Sequence, residues 1–310
     1  STIETVVFDD IKQEVNENVT TEQVVAEPAA TETTKEKDEN EISTENENTD
    51  PRYAHVSEYA AKLDKILQDY AAKCGEANWN GNFKAENNTV YTSKDYIKNL
   101  LDDDWIWCED GIMEINFREV KLGATGAPGV VVKLISGVAD EYYLVFKMNT
   151  TLVLTFVGDG YYRSFCDINE SGYVWQGGSA GAGDYVEYEG YLDENGKYNR
   201  IVYTETYMGP MYMQTIDRDS SIAVYGVDSE EENLDVYVIE YKIDDVQYLV
   251  CDVNDEAQNY DEQLAKAKEF VKLSTASGHN FVSREKVEQL INDKKASLGI
   301  TDAIISDAKF

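Results

Sequence analysis

The amino-acid sequence predicts an α+β fold: a Tyr-rich antiparallel β-meander, forming a sheet or a partial barrel, flanked by N-terminal and C-terminal helices. Three observations predict it. From Gly137 to Gly209, β-branched and aromatic residues alternate with polar ones, and clusters of Gly, Asn and Asp interrupt them every several residues. That is the pattern of consecutive strands joined by short turns. On either side of this stretch the apolar residues recur at steps of three and four, as on one face of a helix. Strands in one block with helices segregated around it make an α+β arrangement.

The first fifty residues stand apart. They hold fifteen acidic residues against three lysines, a net of −12, and Phe8 is their only aromatic. Such a segment buries too little apolar surface to offset its ordering entropy. Residues 1–50 are therefore expected to be a disordered acidic linker, extended by self-repulsion over 12–50. The chain opens at Ser1 within this tract, without an initiator Met or a signal peptide, as expected of a processed chain.

Residues 51–254 are read as helices plus the β-meander domain, and residues 255–310 as C-terminal helices packing on that domain. Val56, Ala60, Leu63, Leu67, Tyr70 and Cys74 form one helical stripe that Gly75 closes as a C-terminal cap. A second helix is expected from Ser93, as N-cap, to about Asp103. Strands are expected at 130–136, 142–148, 151–157, 160–167, 172–176, 184–192, 198–207, 211–216, 221–227, 234–242 and 246–252. Asp159-Gly160 and Asn195-Gly196 read as tight hairpin turns. Leu264, Ala267, Phe270 or Val271, and Leu273 mark a further helix. Ser283 caps the next one, which runs to Gly299, and the tail 301–310 adds one more turn.

Bulk properties exclude some partners. A net charge of −33 repels phosphate backbones and anionic head groups, so nucleic acid is excluded and a membrane is reached only through a tether. Cys74, Cys108, Cys166 and Cys251 form no C-x-x-C pair. They read as free, half-buried thiols, with two disulfides in any of three pairings as the alternative. The Asp102 to Asp104 run points in divergent directions and reads as a helix end or a turn. No cofactor and no metal site is nominated.

The segments GAPGVVVKL (126–134), DEYYLVFKMN (140–149), GDGYYRSF (158–165), GGSAGAG (177–183), LDENGK (192–197) and IVYTETY (201–207) carry a resemblance. In order and spacing they resemble secreted or surface proteins of anaerobic gut Firmicutes, mostly clostridia, over about 90 residues. The resemblance implies an extracellular, cell-surface tethered protein of a Gram-positive anaerobe. That group has an Asp-rich loop before the meander. Here Lys121, Gly123 and Thr125 stand where its aspartates would, and Gly129 where its Glu would, so the carboxylates an oxygen-ligand site needs are missing.

Residues 177–181 match G-x-S-x-G around Ser179, and His279 follows in the chain. A nucleophile elbow needs a helix after the serine, and a strand follows here, so no catalytic residue is nominated. Asp193 to Gly196 resembles the front of a calcium loop but lacks the downstream bidentate Glu and reads as a hairpin turn. Glu187, Glu189, Glu205 and Glu240 all sit on strands, and with so many acids no glycosidase-type pair is singled out.

The aromatics give the one positive signal. Trp175, Tyr185, Tyr188 and Tyr203, with Asp184 and Glu187 as hydrogen-bonding neighbours, are the expected ligand-binding set. The Gly-rich bend at 177–183 is expected to let a flat partner approach the backbone. The expected function is a surface-tethered binding protein whose ligand is an extracellular glycan or protein. A glycan- or cell-wall-acting hydrolase is the alternative, and a structural or assembly subunit the second. Oligomeric state is left open.

Overall fold

A computed structural model of the chain describes residues 53–75, 79–102, 112–136, 140–161, 163–180, 184–208, 236–253, 259–276 and 278–310. The expected linker at 1–50, the strands expected at 211–216 and 221–227, Asp103, Asp104 and Cys108 lie outside them.

The first helical stripe forms α1 (Val56–Lys73), with Val56, Ala60, Leu63, Leu67, Tyr70 and Ala71 buried and Gly75 at φ +86° just past its C-cap. Next come β1 (Asn82–Ala85), β2 (Val90–Thr92) and α2 (Ser93–Asp102). Thr92, not Ser93, caps α2. Its Oγ1 accepts from the Asp95 amide at 3.0 Å and donates to the Asp95 carboxylate at 2.7 Å, a reciprocal cap. Ser93 is buried and donates to Asp64 on α1 at 2.5 Å.

The strands then follow: β3 (Ile112–Leu122), β4 (Ala127–Ser136), β5 (Asp140–Met148) and β6 (Leu152–Gly160). After them come β7 (Ser164–Ile168), β8 (Tyr173–Ser179), β9 (Asp184–Leu192), β10 (Tyr198–Met208), β11 (Val236–Ile243) and β12 (Val246–Val253). They divide into two six-stranded sheets, ordered β2-β1-β6-β5-β4-β3 and β12-β11-β10-β9-β8-β7. Each is antiparallel between sequence neighbours, and one parallel pair, β1 with β6, interrupts the pattern. The fold is α+β with a strand meander, and the meander is split in two.

The split falls at Asp159-Gly160, where the sequence predicts a hairpin turn. Both residues instead continue β6, paired with Tyr142 and Glu141 of β5. Their glycine serves a close approach. A Cβ on Gly160 would stand 3.0 Å from the Cys166 amide nitrogen, and one on Gly158 would stand 2.6 Å from Cys166 Sγ. These two glycines let β7 cross over β6 and start the second sheet. Asn195-Gly196 does form a hairpin turn: Gly196 has φ +75°, and its amide donates to Asp193 O at 2.7 Å.

Helices α3 (Tyr260–Ala276), α4 (Arg284–Ser297) and α5 (Asp302–Ser306) complete the chain. Ser283 caps α4 by accepting from the Lys286 amide. Glu285's own backbone N–H, and then the Ser283 hydroxyl, hold the Glu285 carboxyl below its usual range.

Alternating side chains build a stack of layers. Val130, Val132, Leu134, Leu144 and Phe146 of the first sheet pack on α1 and α2. Val131, Tyr143 and Val145 face Cys166, Ile168, Val174 and Leu192 of the second sheet. The second sheet's far face, with Tyr173, Tyr191, Val202 and Val250, packs on Val287, Leu290 and Ile291 of α4. A bulge in β6 places Leu154 on the helix side and Phe156 on the intersheet side. Residues 307–310 lie along β7: the Phe310 amide donates to Ile168 O at 2.8 Å, and its ring reaches the intersheet core beside Tyr143.

Candidate binding face

Successive side chains on a strand point to opposite faces, and this parity divides the six residues expected to bind. In the β8-β9-β10 register, Trp175 stands opposite Glu189, Gly177 opposite Glu187, Ser179 opposite Tyr185, and Gln176 opposite Tyr188. Tyr188 also pairs with Tyr203, and Tyr203 with Lys242. Trp175, Tyr185 and Glu187 therefore share the face that carries α4. Tyr188 and Tyr203 lie on the other face.

On the α4 side, Trp175 is half-buried. Its ring centroid lies 4.6 Å from that of Tyr173, and Lys309 Nζ sits 4.4 Å over it. Tyr185 is exposed, as is Glu187. Asp184 is placed by its backbone opposite Tyr207. Gly177 and Gly178 do not form an open bend. Both are buried within β8. A Cβ on Gly177 would meet Val186 O at 2.7 Å and the Phe165 ring at 2.8 Å, and one on Gly178 would meet Arg163 O at 2.6 Å. Strand β7 already occupies the space expected for a flat partner. Gly181 and Gly183 lie outside the described residues.

Ser179 ends β8, and its Oγ accepts from Arg163 Nη2 at 3.0 Å. His279 lies beside β12, where Asn280 O accepts from the Leu249 amide. Strands β9, β10 and β11 separate β8 from β12, a span of roughly 19 Å at the usual strand spacing. The two residues do not form a nucleophile–base pair.

The opposite face is covered at both ends. Toward β7 and β8 it packs on the first sheet, where Phe156 stacks on Tyr198 at 5.4 Å. Toward β12 it buries Val238, Leu249, Cys251 and Val253, and α3 packs against that strand. Between these regions, β9, β10 and β11 present a strip of polar and aromatic side chains. Tyr188 and Tyr203 meet edge to face, with ring centroids 5.0 Å apart. Lys242 Nζ stands 4.8 Å over the Tyr203 ring. The Tyr203 hydroxyl donates to Glu205 Oε2 in a short bond. Burial, and then that bond, raise the Tyr203 pKa well above the ordinary phenol value, so the proton stays on the phenol.

The antiparallel register sets Glu205 directly opposite Glu240. Like charges in this relation repel. Two contacts offset the repulsion: the Tyr203 hydroxyl on Glu205, and Lys242, whose Nζ lies 2.7 Å from Glu240 Oε1 as an ion pair without hydrogen-bond alignment. Glu240 is buried, whereas Tyr188, Tyr203, Glu205 and Lys242 remain partly exposed. The strip thus offers two aromatic rings, the Glu205 carboxylate and one ammonium to a ligand, with the Glu240 carboxylate buried beside them. The sequence places Tyr188, Tyr203 and both acids on strands. The facing of Glu205 with Glu240 follows only from the β10-β11 register.

At Lys121 to Pro128, where the calcium-type loop is degenerate, β3 and β4 are joined by a turn with Gly123 at φ +68° and Gly126 at φ +69°. Among the described residues no group of three or more His, Cys, Asp or Glu side chains is placed to hold a metal. Nor is any helix among them long and apolar enough to cross a membrane. Comparisons with family models, curated proteins and solved structures return no match to this chain.

Proposed function

We propose that this domain is a binding module that takes a glycan along the β9-β10-β11 strip, at an extracellular surface to which the acidic segment 1–50 tethers it. One observation carries the binding reading. Tyr188 and Tyr203 form a partly exposed ring pair directly beside the partly exposed Glu205 carboxylate, whose bond to the Tyr203 hydroxyl leaves acceptor capacity. Aromatic faces stack on the C–H surfaces of sugar rings, and carboxylates accept hydroxyl hydrogens. The tethered, extracellular part rests on the composition of residues 1–50 and on the resemblance to clostridial surface proteins. The test is a glycan screen followed by titration of Tyr188→Ala and Tyr203→Ala. Each should weaken binding by roughly tenfold or more, as for a partly desolvated aromatic anchor, while the circular dichroism spectrum is retained. Folded variants that bind like the parent would sink the reading.

A second reading is favoured by the carboxylate pair. Side chains directly opposite across two antiparallel strands have Cβ atoms about 5 Å apart, which lets the Glu205 and Glu240 carboxyls reach the roughly 5–5.5 Å separation used by retaining glycosidases. If the bound glycan is hydrolysed, and Glu205→Gln and Glu240→Gln each abolish turnover while binding persists, the domain is a hydrolase. Binding without new reducing ends leaves it a binding module.

A further inference from the structure

The geometry points to a second ligand site, separate from the β9-β10-β11 strip: a cleft of about 260 Å³ at one end of the first sheet that takes a small hydroxylated oxyanion, such as a sugar acid or sugar phosphate. Three turns meet there. Lys84 at the end of β1 and Asn88 of the β1–β2 turn stand on one side, Lys147 at the end of β5 with Asn149 and Thr151 of the β5–β6 turn on another, and the β9–β10 hairpin of the second sheet brings Asn195. The volume lies near the lower end for small-molecule sites and suits one sugar-sized unit.

The charge of the cleft runs against the rest of the chain. The protein has 60 acidic and 27 basic residues, and several of its lysines meet carboxylates: Lys73 with Glu119, Lys133 with Glu141, Lys309 with Asp167. Among the described residues that line the cleft Glu86 is the only acid. Among the described residues neither Lys84 nor Lys147 has a carboxylate partner. Lys147 Nζ instead donates to Asn195 Oδ1 at 2.7 Å. That bond orients the Asn195 amide so that its N–H donors remain for a ligand. Two ammonium groups against one carboxylate, beside amide and hydroxyl side chains, favour an anion that also carries hydroxyls.

The cleft is built before any ligand arrives. Gly196 lies against Thr155 of β6, and a Cβ on it would stand 2.2 Å from Thr155 Oγ1. A Cβ on Gly123 would likewise stand 2.4 Å from the Glu194 amide nitrogen. Both contacts fix the β9–β10 hairpin against the first sheet, and with it the position of Asn195. A site held by turns on two packed sheets loses little freedom on binding.

The test uses the full chain and amide chemical-shift mapping with four probes: glucuronate, glucose 6-phosphate, glucose and inorganic phosphate. Either anionic sugar should shift the amides of Asn88, Asn149, Thr151 and Asn195 in a saturable way. Lys84→Gln and Lys147→Gln should each raise its Kd by roughly tenfold or more, the loss of one charge-assisted contact. Lys84 is exposed, so its variant keeps the fold even if Lys147→Gln loosens the hairpin. Tyr188→Ala should leave the titration unchanged, which separates this site from the strip. Glucose binding as tightly as glucuronate would overturn the anion assignment, and inorganic phosphate binding as tightly as glucose 6-phosphate would overturn the hydroxyl assignment. Absence of saturable shifts at these amides would overturn the site.

Discussion

The two sheets have the same strand number and the same relation to helices, yet they bury different chemistry. Where the first sheet meets α1 and α2, its buried residues are Phe83, Val130, Val132, Leu134, Leu144, Phe146, Leu152 and Leu154. None of them needs a polar partner. Where the second meets α4 it buries Tyr173 and Tyr191 with Trp175, Tyr241 and Tyr248 beside them, and charge lies among the rings. The Tyr173 hydroxyl donates to Glu189, and Lys295 Nζ reaches the same carboxylate at 2.9 Å. Asp252, buried, pairs with Arg284 of α4. The first sheet is held by shape and the second by matched polar groups. A sheet of the second kind loses stability when one partner is removed, and it responds to pH.

The largest expected effect is on the first sheet. Phe146 is fully buried, with its ring 5.3 Å from that of Phe83. Phe146→Ala should lower the free energy of unfolding by about 3–5 kcal/mol in a urea titration. Next comes the polar side of the comparison. Arg284→Met leaves Asp252 buried without its ion partner and should destabilise by about 2–3 kcal/mol, discounted because Arg284 is one-third exposed. Adding Asp252→Leu should recover much of that loss. If the double variant is no better than the single one, polar matching does not distinguish the sheets.

The third prediction concerns alkaline pH. Burial raises the Tyr198 pKa to about 12. Burial first, with help from Glu189 and Glu205, raises those of Tyr173 and Tyr203 as well. The unfolded chain releases these protons near pH 10, while the native state still holds them. Stability is therefore fully present below about pH 10 and falls as the pH rises through about 12. Urea midpoints measured across that window should drop, together with a rise in phenolate absorbance. A Tyr173→Phe, Tyr203→Phe double variant should flatten the drop, and a Leu144→Ala variant should not. The smallest effect is local: Ser283→Ala removes the α4 cap and should reduce stability by about 1 kcal/mol.

Local signals were readable where local chemistry decides. The α1 stripe, the Ser283 cap and the Asn195-Gly196 turn depend on residues within one turn of each other. The exceptions depend on distant contacts. Asp159-Gly160 has a turn's composition, but its glycine is required by Cys166 crossing above it. The strand β1 is four residues long and gains its place by parallel pairing with Val153 and Leu154, far along the chain. The alternation in IMEINFREVKL is visible in the sequence but adjoins a Trp- and Asp-rich run that obscures it, so β3 lies before the first strand expected from the pattern, at 130. Of the candidate site, tyrosine composition pointed to the second sheet. The parity that separates Trp175 from Tyr188, and the register that sets Glu205 against Glu240, appear only once the strands are aligned.

The seam between the sheets bears on the order of assembly. Nearly every strand pairs with its neighbour in sequence, so hairpins can close soon after their residues emerge during synthesis, and loop-closure entropy stays small. The intersheet core is different. Phe310 enters it from the tail, anchored by the bond from its amide to Ile168. Until that tail has been made, Tyr143 lacks the ring that packs against it. The sheets can therefore pair most of their own strands before the joint between them is filled by this ring.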